Sequence, residues 1–217
     1  MRDEFVRQLG DLRQLVTEMG NLCTRAISEA VRALMEQDAG LAREIMKSDD
    51  AVNALEHQIE QLSIRLILTE QPVASDLRFI SSTLKMVTDL ERIGDHAVDI
   101  AELALSLIDQ GATTVRLDNL RKMSEEALKM VNTAVRAFIE GHLANAEEVI
   151  KMDDVVDGYF ETIRDEVMEE IREDRETAVA IVDHLMIAKY LERVGDHAQN
   201  IAEWVIYCVA GRMEHYS

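Results

Sequence analysis

Carboxylates at helical spacing are the groups in this sequence best suited to chemistry. Glu91, Asp95, Asp99 and Glu102 recur at steps of four, four and three. At about 100° per residue they gather within an arc of roughly 80° on one helix. Leu90, Ile93, Ala97, Ile100 and Ala104 fall on the opposite side, so packing does not account for the acids. The motif occurs twice. Residues 90–102 match residues 191–203 at ten of thirteen positions, with Glu192, Asp196, Asn200 and Glu203 as the second set. Carboxylate and amide oxygens grouped in this way suit hard cations. Like charges four apart cost roughly 0.2–0.5 kcal/mol, and no Lys follows within the motif to offset them, so a bound cation is the expected compensation.

The elements that must position these side chains follow from apolar periodicity. From Phe5 the apolar positions run Leu9, Leu12, Val16, Met19, Cys23, Ala26 and Ala30, in alternating steps of four and three, which predicts one helix of about thirty residues. After Asp38-Ala39-Gly40 a second helix carries Val52, Leu55, Ile59, Leu62 and Leu66 and stops near Gln71-Pro72. A third extends from about Val73 to Gln110-Gly111. The rhythm restarts with Leu117, Leu120, Ser124, Ala127, Val131, Ala134 and Phe138. A repeat near one hundred residues is too long for a solenoid unit and reads as a duplicated domain. The expected fold is all-α, six long helices in two tandem antiparallel three-helix bundles related by a pseudo-twofold axis, divided as residues 1–111 and 112–217.

An antiparallel hairpin turning near Gln71-Pro72 sets Asp49 level with Asp95 and Asn53 level with Glu91. A turn near Glu173-Asp174 does the same for Asp153 with Asp196 and Asp157 with Glu192. Each half is therefore expected to present two facing pairs, Asp49/Asn53 against Glu91/Asp95 and Asp153/Asp157 against Glu192/Asp196. Asp99, Asn200, Glu102 and Glu203 are the weaker candidates, holding ligands or water in place. Gly94 and Gly195 sit in helix interiors, where glycine costs up to about 1 kcal/mol relative to alanine, and imply close helix approach. His96 and His197 lie off the acidic stripe and read as packing or supporting residues. Arg92 and Arg193 read as ion-pair partners for carboxylates one turn away.

Bulk composition narrows the function. Lys and Arg number 23 against 42 Asp and Glu, a net charge of −19, which would repel a nucleic-acid backbone. Aromatics are only 4% of the chain, so the core must be aliphatic. Cys23 and Cys208 have no metal-type spacing and read as reduced core residues. The start Met1-Arg2-Asp3-Glu4 lacks the apolar run of a signal peptide, and no segment approaches the roughly 20 apolar residues of a membrane span. A cytoplasmic location without membrane insertion is expected. No Glu-x-x-His occurs, which argues against a buried di-metal enzyme of the ferritin-like kind, so the expectation is a non-enzyme. The rival to a metal-binding scaffold is a metal-independent helical adaptor with acidic docking faces. A homodimer is expected by base rate.

The doubled Glu-Arg-Ile/Val-Gly-Asp-His-Ala motif, the stretch Asp49 to Glu56, Pro72 followed by Asp76-Leu77-Arg78, and the closing Asn200-Ile201-Ala202-Glu203-Trp204-Val205-Ile206-Tyr207 resemble the PhoU family, accessory proteins of the bacterial phosphate-specific transport system. The resemblance spans nearly the whole chain. It implies surface metal clusters on acidic pairs at four-residue spacing, binding divalent or trivalent ions such as iron, zinc, manganese or magnesium at the positions named above. It implies negative regulation of phosphate uptake and of the phosphate-starvation response. The partners implied are the ATPase subunit of the phosphate ABC transporter and a sensor histidine kinase, met at the inner membrane face. Two departures bear on this. Asn53 stands where a stricter pair would carry a carboxylate, and Asp76-Leu77-Arg78 aligns with Thr177-Ala178-Val179, so any partner contact there would be one-sided.

Overall fold

The structure, a computed structural model, describes residues 2–111, 117–173 and 178–212. Among the described residues the elements are all helical: α1 (Arg2–Glu36), α2 (Ala39–Ile45), α3 (Asp49–Glu70), α4 (Ala74–Asp109), α5 (Asp118–Glu140), α6 (Leu143–Glu173) and α7 (Ala178–Ala210). The expected division at 111/112 falls at residues 112–116, which lie outside the described residues, as does Asp174 of the second expected turn.

Six long helices match the sequence expectation, with one difference. The helix expected after Asp38 is in two pieces, short α2 and then α3. Asp38 caps α2, its Oδ1 accepting from the backbone N–H groups of Gly40 (2.9 Å) and Leu41 (3.0 Å). The chain then tightens at Met46-Lys47-Ser48, where the Lys47 and Ser48 N–H groups reach back three residues instead of four. The Ser48 hydroxyl donates to the Ile45 carbonyl at 2.7 Å, competing for a helical acceptor. Met152 occupies the aligned position in the second half, has no hydroxyl to compete, and lies within an unbroken α6.

In the first half α1, α3 and α4 pack as a bundle, and in the second α5, α6 and α7 do; α4 lies along α7, and α1 along α5. The halves share one contiguous apolar core. The predicted stripes line it: Leu12, Val16, Met19 and Cys23 of α1, Leu90, Ile93, Ala97 and Ile100 of α4, and Leu191, Val194, Ala198 and Ile201 of α7 are all fully buried. Each such Leu or Ile contributes about 1.5–3 kcal/mol by leaving water. Both cysteines are free thiols, and Cys23 Sγ donates to the Leu90 carbonyl at 3.1 Å inside the core.

Contacts far apart in sequence give the direction of the central pair. Arg78 Nε near the start of α4 donates to the Cys208 carbonyl near the end of α7 at 3.1 Å, while His96 and His197 meet at mid-length with ring centroids 5.6 Å apart. The two helices therefore run antiparallel, with the repeated motifs crossing at the pseudo-twofold axis. Arg78, set at the C-terminal end of α7, serves the fold by meeting the Cys208 carbonyl and the negative end of the helix dipole.

Candidate metal centre

The antiparallel hairpins place the acidic pairs because two glycines let the helices close. A Cβ on Gly94 would lie 3.0 Å from Val52 Cγ1, and one on Gly195 would lie 3.4 Å from Val156 Cγ1 and 3.2 Å from Asp153 Oδ1. Val52 and Val156 are aligned between the halves, as are Gly94 and Gly195, so both hairpins share one register. That register brings the first turn of α3 to the middle of α4, and the corresponding part of α6 to the middle of α7.

Asp49, Glu91, Asp95 and Asp153 are half-buried at these contacts, as is Glu192, while Asn53, Asp157 and Asp196 are exposed at the rim. In the second half, burial first and then the charges of Asp157 and Asp196 push the Asp153 carboxyl up to about 7. Asp157 and Asp196 are also held above the usual carboxylate range, each by partial desolvation and then by Glu192. In the first half Glu91 is raised by burial, then by Asp95, with Asp49 adding further repulsion. Burial and the nearby charge of Glu91 raise Glu56 as well. Mutual perturbation of this kind places each set of acids within one electrostatic cluster.

Arg92 pairs with a carboxylate one turn away, as expected, and a lysine from outside the motif offsets part of the second cluster. Arg92 NH1 donates to Asp95 at 2.7 Å, and Arg92 Nε lies 3.4 Å from Glu91. In the second half Lys189 bonds Glu192 and also lies over the Phe160 ring, 5.3 Å from its centroid. Asn53 donates to Asp49 Oδ2 at 2.7 Å. With those partners in place, among the described residues no three His, Cys, Asp or Glu side chains converge on one point. Two oxygens nevertheless stand out: Asp49 Oδ1 and Asp153 Oδ1, at aligned positions, are buried with no hydrogen-bond partner. A buried carboxylate oxygen without a donor is costly, and a cation satisfies it. An all-oxygen donor set with one orphaned oxygen per half fits a hard cation.

Asp99 and Asn200 share one open groove with Asp49, Asp95 and Asp196. Asp99 Oδ2 lies 3.2 Å from His96 Nδ1, and Asn200 Nδ2 donates to Asp89 at 3.1 Å. That groove, of about 660 Å³ between α4 and α7, is lined as well by Arg92, Arg193 and the two histidines. His96 is buried, and that burial lowers its proton affinity despite Asp99. Both histidines pack between the halves as expected, His197 on Asp89 (2.9 Å) and His96 against the Tyr190 ring (5.4 Å between centroids).

Asp89, Lys189, Tyr190 and Glu56 are the residues that sequence reasoning missed. A signal for three of them was present, because the repeat breaks just before the shared motif: Thr88-Asp89 aligns with Lys189-Tyr190. Those substitutions are what make the two copies unlike.

A helical chain with a duplicated acidic motif crossing at a pseudo-twofold axis defines a class, and the comparisons identify it. The model of the PhoU domain matches residues 16–104 and again 120–205, so the chain belongs to the PhoU domain family. A Pseudomonas aeruginosa protein named phosphate-specific transport system accessory protein PhoU homolog is 36% identical over 208 residues, 96% of this chain and 86% of that one. The crystal structure of PhoU from Pseudomonas aeruginosa superposes with a TM-score of 0.92 at 36% identity, covering 96% of this chain and all of the other. That of the phosphate transport system regulatory protein PhoU from Streptococcus pneumoniae gives 0.89 at 29% identity, over 98% and 100%. No described helix is long and apolar enough to cross a membrane.

Proposed function

We propose that this protein is a non-enzymatic accessory regulator of a phosphate transport system that restrains phosphate uptake and the phosphate-starvation response when phosphate is plentiful. The observation that carries this reading is likeness over 96% of the chain to a protein named as an accessory of that system. The finer links belong to the same proposal: contact with the ATPase subunit of the phosphate ABC transporter, and relay to a sensor histidine kinase from the cytoplasmic side of the inner membrane by a homodimer. The test is a phosphate-starvation reporter in the source bacterium, grown in abundant phosphate with and without the gene. Constitutive expression on deletion supports the reading, and an unchanged reporter removes it.

The second part of the proposal is that each half holds a divalent or trivalent cation. Asp49, Asn53, Glu91 and Asp95 would serve in the first half, and Asp153, Asp157, Glu192 and Asp196 in the second, with Asp99 and Asn200 lining the groove that Asp49, Asp95 and Asp196 also face. The orphaned oxygens of Asp49 and Asp153 support it. Bound there, a cation would neutralise the clustered carboxylates and lock α3 to α4 and α6 to α7. The rival, a metal-independent adaptor with acidic docking faces, draws support from the Arg92–Asp95 and Lys189–Glu192 pairs, which already neutralise part of each cluster. Metal analysis of protein purified without chelators separates them. At least one equivalent per chain, lowered by Asp95→Ala and by Asp196→Ala in their own halves, supports cation binding. Less than one equivalent, with no cation-dependent gain in stability, supports the adaptor.

A further inference from the structure

The far end of the α6–α7 hairpin exposes large apolar side chains that the core does not use. Met168 on α6 is 51% exposed, and Val182 and Met186 on α7 are 45% and 39% exposed. Val156 meets Gly195, so antiparallel helices bring Met168, twelve residues after Val156, to the height of Asp183, between Val182 and Met186. Met168 follows Asp157 by eleven residues, three turns within about 20°, and Met186 precedes Arg193 by seven, two turns within about 20°. Met168 therefore lies on the Asp157 side of α6, and Val182 and Met186 share the exposed side of α7 that carries Arg193.

The corresponding end of the α3–α4 hairpin also exposes apolar side chains, Ile64 standing where α6 has Met168, but its α4 wall differs. Ser81 and Lys85 stand in α4 where α7 has Val182 and Met186. The surroundings are acidic: α6 has eleven Asp and Glu against three Lys and Arg, and Glu161, Asp165 and Glu169 are exposed beside Met168. Methionine adapts its shape to a partner's side chains, so two of them in one patch suit a surface that accepts a helix. An acidic rim selects a ligand with basic flanks, and it repels an anionic bilayer.

We infer that the Met168–Val182–Met186 patch is a docking site for a basic amphipathic helix of a partner protein, which would lay its apolar stripe on the methionines and its Lys and Arg against the α6 carboxylates. The inference deepens the regulatory reading by naming the kind of segment a partner would offer, but a binding assay tests it without reference to phosphate signalling.

The probes are two fluorescein-labelled 20-residue peptides with leucine at helical three-four spacing, one with lysine and one with glutamate at the remaining positions. Anisotropy titrations of the full chain at 150 mM salt are expected to show saturable binding of the lysine peptide and none of the glutamate peptide. The double variant Met168→Gln, Met186→Gln should weaken binding at least tenfold, with an unchanged circular dichroism spectrum, whereas Glu44→Gln, at an exposed position of α2, should change it less than threefold. Equal binding by the methionine double variant would show that the peptide responds to net charge alone and would overturn the proposal. So would conversion of a dimer to a monomer by that variant in sedimentation, which would assign the patch to self-association.

Discussion

Asp89 on α4 and His197 on α7 are joined by a 2.9 Å hydrogen bond that ties the first half of the chain to the second. Asp89 is largely withdrawn from solvent and also accepts from Asn200, so one carboxylate holds two residues of the opposing repeat. Removing it with Asp89→Ala takes a partner from the half-buried imidazole and leaves the exposed Asn200 amide to water, at a cost of about 0.5–1.5 kcal/mol. Urea unfolding is the measurement, and a midpoint unchanged from wild type would show that the bond is incidental.

The close approach at Gly94 yields a second test. Gly94→Ala removes a helix-destabilising glycine but drives a methyl group against Val52, whose branched side chain has little rotamer freedom in a helix. Overpacking costs about 1–3 kcal/mol and outweighs the gain of up to about 1 kcal/mol in helix propensity. Val52→Ala in the same chain should recover part of that loss. In a double-mutant cycle the coupling is expected at about 0.5–3 kcal/mol, and a coupling of zero would mean that α3 moves freely.

Asp153 makes stability depend on pH in an unusual direction. Its carboxyl is raised to about 7 in the folded chain from an ordinary value of 3.8, so between those values the folded state holds the proton more tightly than the unfolded state does. In chelator-treated protein its contribution is full below about pH 4 and is lost as pH rises towards 7. Asp153→Asn should flatten that slope and stabilise the cation-free protein at pH 7.5 by about 1 kcal/mol, after allowance for solvent screening. Thermal melts at pH 5 and pH 7.5 would show it, and parallel shifts of wild type and variant would refute it.

The two thiols should also react unequally. Burial pushes Cys23 up to about 12, and raises Cys208 too, though Cys208 is only partly covered. A chromogenic disulfide reagent is expected to modify Cys208 first, with Cys23 following at the rate of unfolding. Mass spectrometry of partly labelled protein assigns the order, and early labelling of Cys23 would contradict its place in the core.

Much of this structure was legible in the sequence because apolar spacing and a repeated motif are local signals. The α4 stripe from Leu90 to Ala104 and its α7 counterpart set helix, face and repeat together, and the hairpin register of Asp49 with Asp95 followed from one turn at Pro72. The break at Ser48 was not read, because a single hydroxyl competing for a carbonyl leaves apolar periodicity intact. Arg92 was legible as an ion-pair partner one turn from its acid, but its approach to the adjacent Glu91 and the pairing of Lys189 with Glu192 were not. Lys189 stands just before the shared motif, at a position where the first half has Thr88, so the repeat does not show it. The Asp89–His197 bond crosses between repeats and depends on how the two halves dock, which neither repeat encodes alone.

The tightened turn at Ser48 separates the two halves chemically as well as in shape. It makes Asp49 the first residue of a helix, facing the partial positive charge at a helix start, whereas Asp153 lies inside an unbroken helix without that help. On the cation-binding reading, the second site must shed a proton near neutral pH as it fills, while the first already has part of its charge offset. A descendant of two identical modules would then load over a broad range of free cation and in a fixed sequence, giving a graded response where two equal sites would give a single step.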